Sequence, residues 1–510
     1  MALADATTTG VITGTVTDTV TKKPLADVVV EVAGATGEQV VVTDSSGSYR
    51  IPNLAPGSFS LRVTNDGYKP SGSNVTLNAN QTIRVNITLA PLALQATVVD
   101  VVGKAPTVDV GSSQQGTTLT KDFTSRVALS RPGAKGGAAR SFESVAEVAP
   151  GAKNDDYGVS INGTTSPENQ YIVDGLSVNN PAYGIVGTPL SVDFVKEVSV
   201  ISGGYMPEYG RSTGGVLNVV TKSGGNEFHG SAFLNFSPGA LEGDRTVVLS
   251  AGQTISTQRK VDLIHDFGAE IGGPILKDRL FFYGGLSYNS TRYTVTQTLN
   301  RRMEGKNQIM GPLFDADGNE ITTPVYAYDT DANGDYKVEK IPGLNPTVRP
   351  AIERGLQYIG KLTYAINQDN QIELSVYGAP QDSGGAGIWG IDPQSGGIEG
   401  GANDFSAAAH KYVSEANDLT LKWNGAFDNK SFLIDASVGW HHQRAARLPS
   451  DGSEIGSSTG LAGVPSIQWQ RSVPYVHSIT DFSASNKGRT GFFQYGTVPA
   501  GACADAVFAA

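Results

Sequence analysis

The stretch LQYIGKLTYAINQDNQIELSV, residues 356–376, decides the fold class of this chain. Its residues alternate between two faces with a period of two, which is the repeat of an extended β-strand and not of a helix. One face carries Leu356, Tyr358, Gly360, Leu362, Tyr364 and Ile366, and the other carries Gln357, Lys361, Thr363 and Ala365. After the turn 367–370, the apolar face resumes with Ile372, Leu374 and Val376. The stretch therefore predicts an antiparallel hairpin with one apolar and one polar face.

The same alternation recurs from Asn226 onward, for example in residues 419–427 and 432–440. A soluble antiparallel sheet with one wet face would show it too. The connections between the predicted strands distinguish the two cases, because they are alternately long and short. They cover residues 237–261, 276–279, 299–353, 367–370, 381–411 and 428–430. Short turns on one rim and long loops on the other are typical of an outer-membrane β-barrel.

The predicted barrel is incomplete. We expect about seven strands in residues 226–510, whereas a barrel wide enough to enclose another domain has about 22. The chain is therefore expected to be the N-terminal part of a longer protein, ending in the loop that holds residues 507–510. An export signal is expected before the printed sequence, since residues 1–9 lack a basic and then apolar segment. If the first strand, 227–236, starts in the periplasm, the long loops face outward.

The first part of the chain, residues 8–92, contains short β-prone runs separated by turn residues. The predicted strands cover residues 11–20, 27–32, 39–43, 59–64 and 83–89. A small antiparallel sandwich of about seven strands fits this spacing. The run TDSSGSYRIPNLAPG, residues 43–57, followed by Gly67 and Tyr68, resembles the carboxypeptidase regulatory-like domain. The resemblance implies a non-catalytic β-sandwich whose fold some carbohydrate-binding domains share.

Residues 93–118 are interpreted as a linker that carries one extended, β-prone segment. The segment consists of Thr97, Val98, Val99, Asp100, Val101 and Val102. An eighth strand of the preceding sandwich is the alternative interpretation, and composition alone leaves it open.

Residues 119–225 mix a short helix, predicted at 139–148, with strands at 158–162, 170–173, 195–202 and 215–221. The motifs VDG, residues 173–175, and GGYMPEYGRSTGGVLNVVTKSG, residues 203–224, resemble the plug of TonB-dependent receptors of the Oar-like group. The motif residues are Asp174, Gly175, Gly203, Gly204, Glu208, Tyr209, Gly210, Arg211, Gly214, Gly215 and Asn218. Glu208 and Arg211 are expected to pair with charges inside the barrel and so to seat the plug. The chain is thus predicted to be mainly β, with a β-sandwich, an α+β plug and the first strands of an antiparallel transmembrane β-barrel.

Several other chemistries find no support in the sequence. A net charge of -11 without a basic run argues against nucleic acid as a partner, and the single cysteine, Cys503, excludes an internal disulfide. Two Gly-x-Ser-x-Gly matches, residues 210–214 and 456–460, lack the strand-turn-helix setting of a nucleophile elbow. The best metal candidate is a Ca²⁺-like loop with Asp329, Asp331, Asn333 and Asp335, but Lys340 replaces the glutamate at its twelfth position. We therefore predict no enzyme, no cofactor and a solvated acidic loop in place of a metal site.

The resemblance implies energised import of a scarce solute, such as a carbohydrate or a peptide, across the outer membrane. The TonB complex of the inner membrane would pull on a periplasmic segment, and the segment 97–102 can add as a strand to such a partner. An alternative function is surface adhesion or outer-membrane organisation, with the plugged barrel serving as an anchor in outer-membrane lipid. Loss of uptake after mutation of the linker would distinguish transport from anchoring.

Overall fold

A computed structural model describes most of the chain between Thr8 and Gly463. The described residues are 8–35, 37–92, 114–127, 140–155, 157–205, 209–243, 255–308, 326–332, 335–367, 369–393, 395–398, 405, 409–427, 432–454 and 456–463. No helix among these residues is both long enough and apolar enough to cross a bilayer.

The N-terminal unit, called the sandwich below, has two sheets and comprises the described residues from 8 to 92. Its strands are β1 (Gly10–Asp18), β2 (Val29–Gly34), β3 (Gly37–Val42), β4 (Ser48–Leu54), β5 (Gly57–Thr64), β6 (Ser71–Leu77), β7 (Thr82–Arg84) and β8 (Ile87–Leu89). One sheet has the order β4-β1-β7 with β8 also beside β1, and the other has the order β3-β2-β5-β6. Alternate residues of β1, among them Ile12 and Val16, point into the core between the sheets.

The sandwich differs from the prediction in strand count and direction. The predicted strand 83–89 is two strands, and both run parallel to β1, so the unit is not purely antiparallel. The break lies at Val85, whose carbonyl oxygen passes so close to Gly14 that a Cβ atom on Gly14 would lie 1.8 Å from it. That carbonyl accepts a hydrogen bond of 2.6 Å from the Tyr49 hydroxyl. The chain therefore detours over Gly14 before it pairs again with β1.

The middle unit, residues 114–225, is called the plug below. It contains β9 (Gln115–Thr120), α1 (Lys121–Thr124), α2 (Phe142–Ala146), β10 (Ala152–Asp155), β11 (Gly158–Ile161), β12 (Gln170–Val173), β13 (Leu176–Ser177), β14 (Val195–Gly203) and β15 (Val216–Thr221), with 3-10 helices at Ser166–Glu168 and Val192–Phe194. Five strands form one sheet in the order β13-β12-β15-β14-β9, and β10 pairs with β11. The helix predicted at 139–148 is shorter, because Ser141 caps it by accepting a hydrogen bond from the Ser144 amide.

A strand crosses the expected boundary between the linker and the plug. The expected boundary between residues 118 and 119 falls inside β9, which pairs with β14 along its whole length. The Thr118 and Ser199 hydroxyls lie 3.1 Å apart across this pair. This strand lies at the edge of the sheet and needs no apolar face. Its polar, threonine-rich composition therefore resembles that of a linker.

The third unit is a large antiparallel sheet, called the wall below. Its strands are β16 (His229–Pro238), β17 (Ile255–Leu276), β18 (Leu280–Arg302), β21 (Val338–Lys340), β22 (Thr347–Asn367), β23 (Asn370–Gly378), β24 (Gln381–Gly384), β25 (His410–Phe427) and β26 (Phe432–Pro449). Two further strands, β19 (Glu304–Gln308) and β20 (Tyr326–Tyr328), pair with each other, and 3-10 helices cover Gly239–Leu241 and Gly460–Gly463. Because β23 and β24 share one position and β21 is a short addition, the nine strands occupy the predicted seven main positions.

The connections in the wall follow the predicted alternation of long and short. Tight turns join β17 to β18, β22 to β23 and β25 to β26, whereas longer segments follow β16, β18 and β24. All tight turns therefore lie on one rim, called the short-turn rim, and all long connections lie on the other. Among the described strands the wall is an open curved sheet, since β16 and β26 each have one neighbour.

Burial in the wall is reversed relative to a soluble protein. In the deciding stretch Leu356, Leu362, Tyr364, Ile366 and Val376 are exposed, with Leu362 at 42%, whereas Gln357, Lys361, Thr363 and Ser375 of the other face are buried, with Lys361 at 3%. The same holds in β25, where Leu419 and Leu421 are exposed and Thr420 is buried. The outer face therefore suits lipid, and the polar inner face is covered by the plug.

Candidate functional site

The Asp174 carboxylate fixes the plug to the wall. Asp174 and Gly175 form the two-residue turn between β12 and β13, with φ values of 47° and 81° that Asp and Gly tolerate. The carboxylate accepts hydrogen bonds from the Thr221 amide at 3.0 Å and the Thr221 hydroxyl at 2.5 Å. Its Oδ2 atom lies 2.9 Å from Lys361 Nζ on β22, and both side chains are almost entirely buried. Lys361 Nζ also lies 3.3 Å from Glu373 on β23.

The charge state of Asp174 follows from these contacts. Burial alone would raise the pKa of Asp174, since it removes water from the charged form. The ammonium groups of Lys361 and Lys422, with the Thr221 hydrogen bonds, outweigh that effect and hold the pKa below its usual range. Asp174 is therefore a buried anion paired across the boundary between plug and wall.

A second buried ion pair lies nearer the end of the plug. Lys222, which follows β15, places its Nζ 2.5 Å from Glu270 Oε1 on β17. Glu270 also accepts hydrogen bonds from the Tyr283 hydroxyl and, at 2.8 Å, from the Ser231 hydroxyl. Lys121 of α1 lies 3.6 Å from the same carboxylate. Three strands of the wall thus contribute to one binding site for a plug lysine.

A third contact holds the loop of the plug that precedes β14. The Thr188 hydroxyl donates to Asp418 Oδ2 of β25 at 2.6 Å, and His441 Nδ1 of β26 lies 2.6 Å from Asp418 Oδ1. Nearby, the Tyr377 hydroxyl donates to the Val173 carbonyl at 3.1 Å, and Gln443 Nε2 donates to the Gly187 carbonyl at 3.3 Å. The loop is therefore attached to two neighbouring strands of the wall, β25 and β26, and the end of β12 is attached to a third, β23.

An open space adjoins this third contact. A cavity of about 410 Å³ lies between the plug loop and the inner faces of β25 and β26, and a smaller one of about 40 Å³ lies beside it. Its polar and aromatic lining includes Asn180, Tyr183, Asp392, Tyr412, Gln443 and Arg447. The volume and the mixed lining are typical of a pocket for a small polar molecule.

Comparison with known proteins identifies the family to which this chain belongs. Residues 220–502, more than half of the chain, match the family model described as the outer membrane beta barrel domain. The chain belongs to the outer-membrane β-barrel family. Residues 11–90 match the carboxypeptidase regulatory-like domain, as the motif in residues 43–57 predicted. The family confirms the predicted location in the outer membrane. Because outer-membrane barrels have short periplasmic turns, the short-turn rim is called the periplasmic rim below.

One curated relative agrees with the resemblance stated from the plug motifs. The TonB-dependent transporter Oar of Myxococcus xanthus is 47% identical over 487 residues, which cover 94% of this chain and 43% of the relative. The chain thus spans less than half the length of that protein. A mutant ferric enterobactin receptor of Pseudomonas aeruginosa, solved with enterobactin, matches at a TM-score of 0.39 and 13% identity over 65% of this chain and 41% of that chain. The outer membrane transporter YddB of Escherichia coli matches at a TM-score of 0.37 and 14% identity, over 64% of this chain and 39% of that chain.

The plug motif of this barrel-family chain has mainly architectural roles. Gly203 ends β14, Gly204 has a φ of 65°, and Tyr209 is buried in a small cluster with Ile172 and Val216. Gly214 and Gly215 leave no room for a side chain, since a Cβ atom would lie 2.4 Å from Asn169 and 2.5 Å from Ile161, respectively. Two further motif residues are Asn218, which is buried in β15, and Gly210, which is exposed.

The seating role predicted for Glu208 and Arg211 is not found in the described residues. Glu208 lies outside them, and Arg211 is exposed, with a φ of 66° and no ion pair among them. Lys361, Glu270 and Asp418 of the wall contact Asp174, Lys222 and Thr188 of the plug instead. Their signal in the sequence was a charged residue on a polar wall face, but alternation cannot indicate which plug residue is the partner.

The remaining predicted sites carry no described function. The segment Thr97 to Val102 lies outside the described residues. In the Ca²⁺-like loop, Asp329 pairs with Lys337 at 2.9 Å, Asn333 lies outside the described residues, and the part of the chain that is described contains no group suited to hold a metal ion. Ser212, the serine of the first Gly-x-Ser-x-Gly match, donates its hydroxyl to the Gly215 carbonyl at 2.9 Å and so stabilises a loop.

The orientation of the wall predicts which turns are accessible from outside the cell. In the full-length protein, a cysteine at Ser395, in the long connection after β24, is expected to react with a membrane-impermeant thiol reagent on intact cells. A cysteine at Lys277, in the tight turn between β17 and β18, is expected to react only after the outer membrane is permeabilised. Both residues are exposed, so reactivity reports sidedness, and the reverse pattern would contradict the orientation.

Proposed function

We propose that the chain is the N-terminal part of a TonB-dependent transporter that imports a scarce small solute through a plugged barrel. The observation that carries the proposal is the seating of the plug by polar contacts, chiefly Asp174 with Lys361 and Lys222 with Glu270. A permanent seal could be built more stably from apolar groups, because buried ion pairs rarely repay their desolvation. Although Tyr283, Ile359 and Tyr377 of the wall also pack against the plug core, the polar part of the seat suits a plug that must leave its place and return.

Solute capture is assigned to the cavity beside the plug loop. A solute bound there would touch Gln443, and Gln443 donates to the Gly187 carbonyl next to Thr188. Occupation of the cavity would thereby bear on the Thr188–Asp418 contact. The lining offers amides, two tyrosines and charges of both signs, which suits a carbohydrate or a peptide.

Energy coupling is assigned to the segment 97–102 and to β9. The proposed domain division is a sandwich in residues 8–92, a linker in 93–113, a plug in 114–225 and a partial barrel in 226–510. β9 follows the linker and has one neighbour in the plug sheet, β14. A force on the linker would reach this edge strand first, and an edge strand is released by breaking a single ladder of hydrogen bonds.

The partners follow from this assignment. They are the TonB complex of the inner membrane, outer-membrane lipid around the apolar outer face of the wall, and the solute. We assign no catalytic step and no cofactor to the chain, because the serine of its first Gly-x-Ser-x-Gly match has a structural contact and its relative is named as a transporter.

The linker assignment predicts the effect of a proline. In the full-length protein, Val99→Pro is expected to abolish binding of the purified periplasmic domain of TonB, because a strand added to a partner depends on main-chain pairing and proline removes a donor and fixes φ. Val99→Ala, which retains the donor, is expected to bind like the parent protein. Calorimetric titration of the TonB domain into the purified protein measures both.

The alternative location of Val99, in a strand of the sandwich, has a different consequence. If Val99 were in such a strand, Val99→Pro would lower the melting temperature of the sandwich. Lost binding with an unchanged melting temperature supports the proposed contact, whereas a lowered melting temperature with normal binding refutes it.

A further inference from the structure

The sandwich rests on the plug through its turn between β6 and β7. The Ala79 amide donates to Glu197 Oε1 of β14 at 2.6 Å, in a buried contact. The Asn80 side chain donates to the Tyr209 hydroxyl at 3.2 Å and to Gln114 Oε1, at the start of β9, at 3.4 Å. The turn therefore touches the edge of the plug sheet and the point where the linker enters it.

Two further contacts extend this seat across the periplasmic rim. The Asn226 amide, between plug and wall, donates to the Ala35 carbonyl of the sandwich at 3.1 Å. Lys422 Nζ, on the inner face of β25, donates to the Thr8 hydroxyl at 3.0 Å. The sandwich thus contacts the plug, the junction and the wall at once, and it lies at the periplasmic rim, on the side where a solute would leave.

The sandwich nevertheless remains a separate body. The plug and the wall share one hydrophobic core, to which the wall contributes Tyr283, Ile359 and Tyr377. The core of the sandwich contains only its own residues. A cleft of about 670 Å³, lined largely by polar residues, separates the sandwich from wall residues 277–279, 365–367 and 369–371. Interfaces of this kind, polar and incompletely packed, resemble transient contacts between proteins.

The Glu197 carboxyl also limits the stability of the seat. Burial, opposed by the Ala79 hydrogen bond and by Lys196, raises the pKa of Glu197 to about 7. The carboxylate is therefore better solvated when the sandwich departs, and that gain offsets part of the lost hydrogen bonding.

From these contacts we infer that the sandwich is a releasable closure of the periplasmic mouth, docked on Glu197, Tyr209 and the junction at 225–226 in the resting state and undocked when the transporter is energised. The inference rests on the proposed function, since energisation is what releases the closure. It assigns a role to the sandwich that needs neither catalysis nor a carbohydrate ligand.

A disulfide tests the docked state directly. A Cβ atom on Gly225 would lie 3.6 Å from the Ala35 Cβ, inside the usual disulfide range of about 3.5–4.5 Å. The same atom would lie 2.9 Å from the Ala35 carbonyl oxygen, so formation of the disulfide requires a small shift of one of the two residues. The double variant Ala35→Cys/Gly225→Cys is made in the full-length protein, with Cys503 replaced by serine. Cells are treated with a rapid thiol oxidant, and the rate of cross-linking is measured with and without a protonophore.

Rapid cross-linking is expected in de-energised cells, and cross-linking several-fold slower in energised cells. Adding Val99→Pro should restore the rapid rate in energised cells, because it disconnects the pull. Glu197→Ala should slow cross-linking without energy, whereas Glu197→Gln, which retains the acceptor oxygen, should not. Equal rates with and without energy, or no cross-link in either state, would overturn the inference.

A second measurement separates failure of the inference from failure of the proposed function. Cross-linking of TonB to a photoreactive residue at position 99 reports energy coupling by itself. If TonB contacts that position and the disulfide rates are equal, the closure is wrong and transport stands. If neither depends on energy, both fall. Should the glycine variant not assemble, labelling of Ala79→Cys by N-ethylmaleimide replaces it, because Ala79 is buried in the seat and becomes accessible on release.

Discussion

Replacement of Lys361 by methionine is expected to destabilise the seated plug by about 3–5 kcal/mol, the usual cost of removing one partner of a buried ion pair. The variant leaves the Asp174 carboxylate without the ammonium that lies 2.9 Å away, in a site that water does not reach. Glu373, the other partner of Lys361, is less deeply buried and can be hydrated. Hydrogen exchange of the β12 and β15 amides in the purified full-length protein measures the loss as a lower free energy of local opening.

The matched control removes both charges. Asp174→Asn combined with Lys361→Met retains a residue that tolerates the positive φ of the turn and leaves no unpaired ion at the turn itself, since the remaining partner, Glu373, is less deeply buried. Most of the lost protection should return in this double variant. Unchanged exchange in the single variant would mean that the ion pair does not hold the plug.

Leu362→Arg is expected to cost about 2–4 kcal/mol of folding free energy in lipid, because it places a charge near the middle of the apolar outer face. Leu362 is central in the exposed apolar row that runs from Leu356 to Ile366. Val348→Arg, on the same face of β22 but near the long connection, should cost about 0–1 kcal/mol. Urea titrations of the full-length protein folded into vesicles compare the two, and equal costs would contradict the assigned membrane depth.

The neighbouring position corrects a simpler expectation. Period-two alternation predicts that Thr363→Arg is mild, since the residue faces the lumen. In the structure Thr363 is 2% exposed, because the plug covers that face. An arginine there would therefore disturb the plug and cannot serve as the benign control.

The wall could be predicted from the sequence because its pattern is local. Each strand repeats the same alternation, and each turn length is visible in the printed chain, so the seven main positions and the two rims follow from residues close together in sequence. The apolar row from Leu356 to Ile366 illustrates this, since its exposure depends on the strand period and on the surrounding lipid.

The contacts between units could not be predicted in the same way. Asp174 and Lys361 are far apart in the chain, and many inward-facing residues of the wall could have met the plug motif. Arg211 was a reasonable candidate by charge alone, but its position in a loop after β14 keeps it exposed. Likewise, β9 has a polar composition that only pairing with β14 identifies as a strand of the plug.

The pairing of wall charges with plug charges has a consequence for what can travel through the lumen. If the plug withdraws as proposed, Lys361 and Glu270 lose the plug ions Asp174 and Lys222, Asp418 loses the Thr188 hydroxyl, and all three must be hydrated by incoming water. The vacated path is then a hydrated pathway lined by charges of both signs. An apolar molecule gains no favourable contacts there, whereas a hydrophilic molecule can exchange its hydration shell for these charged groups one after another. The groups that hold the resting plug in place thus also determine the polarity of the passage that it leaves behind.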